Sequence, residues 1–461
     1  MRKSKKALAL ILALAMSVTC FGCGSDSKTT DSDKTKTSEA TVTSEDPTAN
    51  ISTDASEKFY VYSWNTELQD RLEYFKKAYP EYAKRIEYVN IGDSSIYQEK
   101  IDALLSSPDA KDYPDLMATE ADYIMKYTSS DYTLPVTDLG ITEDDTANMY
   151  DYTKQVATSS VDNTLKGLSW QACPGALMYR RDLAKKYLGT DDPEKVQEYF
   201  KDWDTFLDTA RKIDKDSNGK TKILSGNDDV SRVYTSNKTS AWVDKDQNFV
   251  IDQQILDYMD MYKTLEQENL TNKTSQWTEQ WNANVASDNT FAYFGCTWFL
   301  HWTLKANCGG EKSGEGTYGK WAMCQGPSTY YWGGTWLCAT QNCSDKGLAG
   351  LIMKTLCCDT DTMYKIAEET LDYVNNKASV QKLIDDKKGS YDFLGGQDFL
   401  AVFEPLAEKV DVSWMCAYDQ KINTELDTQL KAYATGKKDK DTAIADLKKA
   451  VLNDYPTLNV Q

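Results

Sequence analysis

Histidine is almost absent from this chain of 461 residues. The single one, His301, stands among apolar and aromatic neighbours in the stretch Trp298–Trp302, which favours a packed structural role. One histidine excludes a metal centre built from several histidines and leaves little material for a Ser-His or Cys-His catalytic relay. The sequence also lacks a Walker A loop and a Gly-x-Gly-x-x-Gly turn directly after a strand. We therefore predict no catalytic residue, no metal and no cofactor.

Long apolar runs are missing too. The longest, Ala7–Val18, has about twelve residues, whereas a membrane-spanning helix needs about twenty. Because basic residues and no acid precede this run, residues 1–22 are predicted to be an export signal. The segment Gly22–Ser25 resembles a bacterial lipobox with Cys23 as the lipidated cysteine, although Cys20 stands where leucine is usual. The alternative is a plain secretory signal.

The segment that follows contains no aromatic side chain and is almost wholly Ser, Thr, Asp, Lys, Glu and Ala. Such a composition cannot bury enough apolar surface to fold, so residues 23–57 are predicted to be a flexible tether. Two or three acyl chains, such as palmitate, on its first residue would hold the protein stably at a membrane surface. The expected location is the extracellular face of the bacterial cell membrane.

Basic side chains are outnumbered by acidic ones, and the formal net charge is −19. A surface this negative repels phosphate backbones, which argues against nucleic-acid binding. Nine cysteines remain after Cys20 and Cys23, an odd number without a C-x-x-C pair. We expect most of them to be small buried hydrophobic residues, with one or two disulfides possible in an exported protein.

Tryptophan is plentiful and clustered. Seven of the twelve tryptophans fall between residues 277 and 336, where the stretch Tyr330–Trp336 also contains two adjacent glycines. Indole faces can contact the apolar side of a sugar ring while the indole N–H donates a hydrogen bond. A tryptophan-rich core is the alternative for any single ring, and the cluster as a whole favours a carbohydrate site.

The body opens with alternating strands and helices. Buried strands are predicted at 59–63, 86–91 and 114–119, with helices between them and a capping box at Thr66–Gln69. This order implies parallel pairing, and ligands of open parallel sheets bind beyond the carboxyl ends of the strands. The residues selected by this rule are Trp64, Asn65, Glu67, Asn90, Asp93, Glu120 and Asp122.

Several motifs together resemble the extracellular solute-binding proteins of bacterial ABC importers, carbohydrate-binding family 1. The resemblance spans residues 58 to about 455 and is carried by the order of these segments: 63–65, 115–122, 167–170, 176–183, 326–327, 333–337 and 419–451. Arg180 and Arg181 replace the Asn-Lys pair that the family usually has in the fourth of them.

The resemblance implies an α/β, two-lobed, periplasmic-binding-protein-like fold of type II, with the ligand in a cleft between the lobes. It implies a first lobe of residues 58–166 and 334–398 and a second of 167–333 and 399–461. The ligand-binding residues carried over from the family are Trp64, Asn65, Glu120, Asp122, Trp170, Trp298, Trp332, Gly333 and Trp336.

The function implied is that of a non-enzymatic, lipid-anchored monomer that captures a carbohydrate and delivers it to the transmembrane subunits of an ABC permease by hinge closure. Numerous rings favour an oligosaccharide. The alternatives are a membrane-anchored glycoside hydrolase and an adhesive sugar-binding module. A calcium loop that begins at Asp214 also stays open, because acids and Gly219 fit its start whereas Lys222 and Ser225 stand where later ligands are expected.

Overall fold

The computed structural model describes residues 51–460. The export signal, Cys23 and most of the tether lie outside the described residues. Between 51 and 460 no helix combines the length and the apolar character needed to cross a bilayer.

The strands are short and are distributed along the whole body of the chain. They are β1 (Phe59–Ser63), β2 (Ile86–Asn90), β3 (Leu116–Glu120), β4 (Leu168–Ser169), β5 (Ala176–Arg180), β6 (Ala292–Gly295), β7 (Trp321–Cys324), β8 (Thr335–Ala339), β9 (Ser390–Tyr391) and β10 (Gln397–Asp398).

Helices connect and cover the strands. They are α1 (Glu67–Ala78), α2 (Ser94–Leu105), α3 (Ile124–Thr128), α4 (Asp151–Val156), α5 (Arg181–Leu188), α6 (Pro193–Gln197), α7 (Trp203–Asp216), α8 (Ser231–Thr235), α9 (Gln253–Gln267), α10 (Glu279–Ala283), α11 (Thr297–Phe299), α12 (Lys346–Cys357), α13 (Thr360–Thr370), α14 (Lys377–Asp385), α15 (Leu400–Ala407), α16 (Asp419–Ala434) and α17 (Lys440–Asp454). Leu300–Lys305 continues α11 as a wider π-helical turn.

The first sheet has the strand order β2-β1-β3-β8-β4. As predicted, β1 pairs in parallel with both β2 and β3, and β8 then joins β3 and β4 in antiparallel fashion. Phe59 and Val61 of β1 are fully buried, as are Leu72 and Phe75 of α1. The sheet and α1 therefore share one hydrophobic core, and the burial of such side chains stabilises the folded state by about 1.5–3 kcal/mol each.

The capping box predicted at Thr66 is wrong. Thr66 makes no side-chain cap. The Oδ1 atom of Asn65 accepts from the backbone N–H of Glu67 at 3.0 Å, so the residue before the N-cap satisfies one of the N–H groups at the start of α1.

The second sheet has three antiparallel strands in the order β6-β5-β7. Its central strand β5 is completely buried. The final helices belong to the same side of the molecule, since α16 packs on α9 and on α17. Residues 393–397 also hydrogen-bond to this side, through Arg181 and Met323.

Three chain segments run side by side where the two sheets are connected. Residues 170–175 join β4 to β5, and 330–334 lead from β7 to β8. Ala172 N donates to Tyr373 O at 3.1 Å, and Gly175 N donates to Tyr330 O at 2.9 Å. The first segment therefore lies between 330–332 and 373–375, and we call the three the crossing segments.

Glycine is required at position 175 of the first crossing segment. A Cβ atom there would lie 2.1 Å from the ring of Tyr330, which is itself fully buried. The close packing of ring on backbone fixes how the crossing segments meet.

Cysteines of the described chain are all free, and most are buried as predicted. No disulfide forms among residues 51–460.

A candidate ligand cleft at the crossing segments

A cavity of about 340 Å³ opens where the two sheets approach the crossing segments. Its walls come from the β1–α1 turn, from the end of β3, from the crossing segments and from the start of α11 with the turn after it. The lining residues are Trp64, Asn65, Thr66, Glu67, Glu120, Gln171, Trp298, Trp302, Gly334 and Thr335.

Trp64 is the aromatic wall on the side of the first sheet. It follows β1 directly and its ring is held edge-on by Tyr97, at 5.2 Å between ring centroids, and by Tyr123, at 6.4 Å. Such edge contacts each stabilise an aromatic pair by about 0.5–1.5 kcal/mol beyond burial. The ring is thus fixed in place while part of its surface remains open to the cavity.

Trp298 is the aromatic wall on the side of the second sheet. Its Nε1 donates to the carbonyl of Gly333 at 3.2 Å, and its ring stacks on Trp277 at 6.1 Å. Trp302, one helical turn further on, is 62% exposed. An aromatic side chain that leaves most of its surface in water at the mouth of a cavity is well placed to contact a ligand.

Glu120 is a carboxyl group held in a fixed position at the end of β3. Its Oε2 accepts from the backbone N–H of Asp122 at 2.8 Å. Gly333, at φ +117°, approaches it so closely that a Cβ atom would lie 3.0 Å from Oε1. Burial raises the pKa of Glu120 to about 8, and the neighbouring Asp122 carboxylate adds to the rise. The raised pKa favours the protonated form of Glu120, which can both donate and accept hydrogen bonds.

Glu67 is the second carboxyl group of the cavity and belongs to a buried polar network. Its Oε1 accepts from Trp170 Nε1 at 3.2 Å and from Gln171 Nε2 at 2.6 Å, and Arg71 Nη2 lies at 3.4 Å. Burial raises the pKa of Glu67 to about 7; Arg71 opposes this rise and Asp372 adds to it.

The network continues to the other side of the cleft through Asp372. Its Oδ2 lies 3.3 Å from Arg71 Nη2 and accepts from Gln171 Nε2 at 3.2 Å. Its Oδ1 accepts from Thr297 Oγ1 at 2.9 Å, at the start of α11. One chain of hydrogen bonds thus runs from α1, through a crossing segment, to the helix that holds Trp298.

Asp122 lies outside the cavity and forms a second link between its two sides. Its two carboxylate oxygens pair with both terminal nitrogens of Arg232 in α8. A bidentate pair of this kind is among the stronger and more directional ion pairs in proteins. Asp122 therefore connects the end of β3 to a helix on the side of the second sheet.

The other predicted site residues lie behind the walls of the cavity. Trp170 and Trp336 are fully buried. The indole N–H of Trp170 donates to Glu67, and that of Trp336 donates to Thr153 O at 3.1 Å. Trp332 is 3% exposed, with its ring 6.0 Å from Trp298. Gly333 supports Trp298 through its carbonyl.

The structure thus brings together Trp64, Asn65, Glu120 and Trp298 of the predicted set. The tryptophan cluster divides in two: Trp277, Trp298 and Trp302 retain exposed surface, whereas Trp281, Trp321, Trp332 and Trp336 are core. Lining residues that the carried-over set lacks are Thr66, Glu67, Gln171, Trp302, Gly334 and Thr335. Three of these had a sequence signal: Glu67 by its place after the first strand, Trp302 as a member of the tryptophan cluster, and Gly334 as one of the two adjacent glycines.

In the loop that begins at Asp214, the first expected calcium ligand is paired with a lysine of the protein. Lys222 Nζ donates to Asp214 Oδ1 at 2.6 Å. Residues 51–460 contain no group of three or more His, Cys, Asp or Glu side chains arranged to hold a metal ion.

Two α/β halves, three crossing segments and a cavity beside them define the two-lobed, periplasmic-binding-protein-like class, as predicted. The chain belongs to the family of bacterial extracellular solute-binding proteins, whose model matches residues 71–390.

Solved structures share this fold at low sequence identity. A crystal structure of an extracellular solute-binding protein of family 1 superposes with a TM-score of 0.71 at 17% identity and covers 85% of this chain and 99% of its own. The ABC-transporter-associated binding protein from B. animalis subsp. lactis, in complex with beta-1,6-galactobiose, gives 0.67 at 17%, covering 86% and 97%. The galacto-N-biose-/lacto-N-biose I-binding protein from Bifidobacterium longum gives 0.68 at 13%, covering 88% and 98%. Among curated protein sequences, none matches this chain.

Proposed function

We propose that this protein captures an oligosaccharide in the cleft and delivers it to the transmembrane subunits of an ABC importer. The observation that carries the proposal is the lining of the cavity, in which two indole rings from opposite sides of the crossing segments enclose hydrogen-bonding groups. Trp64 and Trp298 would contact the apolar faces of sugar rings. Two of the solved structures with the same fold hold disaccharides.

The polar groups of the cavity fit a ligand rich in hydroxyl groups. A hydroxyl both donates and accepts, and so do a protonated Glu120 and the amide of Asn65. A protonated Glu120 has no negative charge to attract a cation, so its raised pKa favours a neutral, hydroxyl-bearing partner over a cation in this cavity.

Hinge closure would follow from ligand contacts on both sides of the cleft. We propose the two lobes at residues 58–166 with 334–398 and at 167–333 with 399–461. A sugar that binds Trp64 and Trp298 together stabilises the closed form over the open one by its extra contacts. The Asp122–Arg232 pair also joins the two sides and would contribute to the closed form.

The protein would act as a monomer at the extracellular face of the membrane, anchored through lipid on Cys23, and would leave the sugar unchanged. Metabolic labelling with a fatty-acid probe tests the anchor: the wild type should carry the label and Cys23→Ser should not. Equal labelling of both would contradict the lipobox.

Binding is tested by calorimetry on the purified full-length protein, in a detergent without a sugar headgroup, against a panel of neutral mono- and oligosaccharides. We expect saturable binding of at least one oligosaccharide, accompanied by a change in tryptophan fluorescence. Absence of binding across the panel, with a saturable response to a peptide instead, would remove the carbohydrate proposal.

The same sample distinguishes a receptor from a glycoside hydrolase. Both Glu67 and Glu120 line the cavity, and a carboxyl pair is what glycosidases use. We expect bound oligosaccharide to be recovered intact after prolonged incubation, as followed by chromatography. Hydrolysis that Glu120→Gln abolishes would identify an enzyme.

A further inference from the structure

A second cavity, of about 450 Å³, adjoins the first. Glu67, Trp298 and Trp302 line both cavities, and these three side chains form the boundary. We call the first the inner cavity and the second the outer cavity. The remaining walls of the outer cavity come from the exposed face of α1 and from the end of α13.

Acidic side chains dominate the outer cavity. They belong to Glu67, Asp70, Glu73, Glu369 and Asp372. Asp70 and Glu369 are exposed, and within residues 51–460 neither forms an ion pair; Glu369 accepts only from the hydroxyl of Tyr74. These two carboxylates are therefore available to a ligand.

The basic groups of the outer cavity do not neutralise these carboxylates. Arg71 directs Nη2 to Glu67 and Asp372. Lys77 is exposed, and its Nζ lies 5.7 Å from the centre of the Tyr74 ring. His301 binds Tyr391 Oη and Leu371 O, and burial lowers its pKa, which favours its uncharged form. The cavity keeps a negative balance.

Arg71 is a buried basic residue of the outer cavity with an unpaired hydrogen-bond donor. The side chain is 4% exposed, and its Nε is buried without a hydrogen-bond partner. A buried donor without a partner costs about 1–3 kcal/mol. Arg71 also lines the outer cavity, so its guanidinium group can contact an acceptor oxygen on a ligand.

The outer cavity also has aromatic side chains in its wall. Trp302 is 62% exposed, and the partly buried ring of Tyr74 lies on the opposite element, α1. Ammonium groups are recognised by aromatic faces together with carboxylates. A ligand that fits all three features carries an ammonium group, a hydroxyl acceptor and a ring face.

We propose that the outer cavity binds a positively charged, amine-bearing sugar unit, linked to the unit held in the inner cavity. The proposal rests on the carbohydrate function proposed above and adds the charge class of the substrate. A polyamine meets the carboxylates but offers no acceptor to Arg71, so an amino sugar fits the cavity better.

The test compares three β-1,4 disaccharides of one geometry by calorimetry on the full-length protein: those of glucosamine, N-acetylglucosamine and glucose. At about pH 6 the amine is protonated. We expect the glucosamine disaccharide to bind tightest and its advantage to shrink as salt is raised. Asp70→Asn and Glu369→Gln should each weaken its binding about fivefold, as for exposed charge pairs, and should weaken binding of the glucose disaccharide less, because that ligand carries no charge. Glu81→Gln, an exposed carboxylate outside both cavities, is the matched control.

The outcomes separate the two proposals. Equal affinity for charged and neutral disaccharides, or no effect of Asp70→Asn and Glu369→Gln, overturns the amine-bearing unit and leaves the carbohydrate function intact. Spermidine binding as tightly as the glucosamine disaccharide, with the same loss in the two variants, overturns the sugar unit in favour of a plain polyamine. Failure of all three disaccharides overturns the present inference, whereas only failure of the wider neutral panel overturns the carbohydrate function.

Discussion

The side-chain amide of Gln171 donates to Oε1 of Glu67 over 2.6 Å and thereby ties the first crossing segment to the start of α1. The same amide reaches Asp372 at 3.2 Å, and its oxygen accepts from the backbone of Thr335 at 3.2 Å. Gln171 also lines the inner cavity. One side chain therefore contacts the start of α1, Asp372 and the start of β8, and it borders the space where a ligand would lie.

Replacing Gln171 should destabilise the protein. Gln171→Ala leaves Glu67 and the Thr335 N–H with one partner fewer in a buried site, which should cost about 1–3 kcal/mol of unfolding free energy. Chemical denaturation measures this loss. Gln341→Ala, at an exposed position, is the control and should change stability by less than about 0.5 kcal/mol; equal effects would show that the network is unimportant.

Trp298→Ala should weaken sugar binding by about 2 kcal/mol or more, as for a central aromatic contact. The ring supplies one wall of the inner cavity and the boundary to the outer one. Calorimetry with the best sugar of the neutral panel measures the loss. Tyr132→Ala removes another exposed ring, 41% accessible and remote from both cavities, and should bind normally. Unchanged affinity of Trp298→Ala would assign the ring a purely structural role.

Gly333→Ala should destabilise the protein by about 1–3 kcal/mol, because φ is +117° and the new Cβ meets Glu120 and Ala121. The matched control is Gly92→Ala, at φ +70° with no atom within 4 Å. In both variants alanine must adopt a positive φ, which is unfavourable, and only Gly333→Ala adds a steric clash at the cleft. Thermal unfolding of the two should differ, and Gly333→Ala alone should lose sugar affinity.

The stability of the protein should depend on pH through Glu120. Its pKa is about 8 in the folded state against a normal value of 4.5, so the folded state binds the proton more tightly than the unfolded state. The stabilisation from this proton is complete below about pH 4.5 and is lost as the pH rises through about 8. Between these values Glu120→Gln should show a flatter fall in unfolding temperature than the wild type. Parallel curves would contradict the raised pKa.

Breaking the Asp122–Arg232 pair should favour the open form. In a double-mutant cycle of Asp122→Asn and Arg232→Met, we expect a coupling free energy of about 1 kcal/mol, since both side chains are about one-third exposed. Small-angle scattering should show a larger radius of gyration for each single variant without ligand. A coupling near zero would mean that the pair does not link the two sides.

Much of the first sheet was readable from local pattern. The strand predicted at 59–63 is β1 without a shift, and the one predicted at 114–119 becomes 116–120. Strand β8, which pairs with β3, comes from residues more than two hundred positions further along the chain. No local pattern encodes a pairing at that distance, and here the family resemblance supplied the return to the first lobe.

The site was partly readable for a similar reason. Trp64, Asn65 and Glu120 follow strand ends, where the topology of a parallel sheet places ligand-binding residues. Gln171 and Trp302 follow no such rule, although Trp302 belongs to the tryptophan cluster between residues 277 and 336. Their neighbours Trp170 and Trp298 drew attention as aromatics, yet the first turns inward to bind Glu67.

The sequence by itself determined the α/β class, the order of the opening strands and the concentration of indole and carboxyl groups, because periodicity and composition act over a few neighbouring residues. Only the tertiary structure decided which tryptophans face the cleft and which fill the core. It also decided that burial raises the pKa of Glu67 and that of Glu120. Both properties depend on burial, which arises from contacts between segments far apart in the chain.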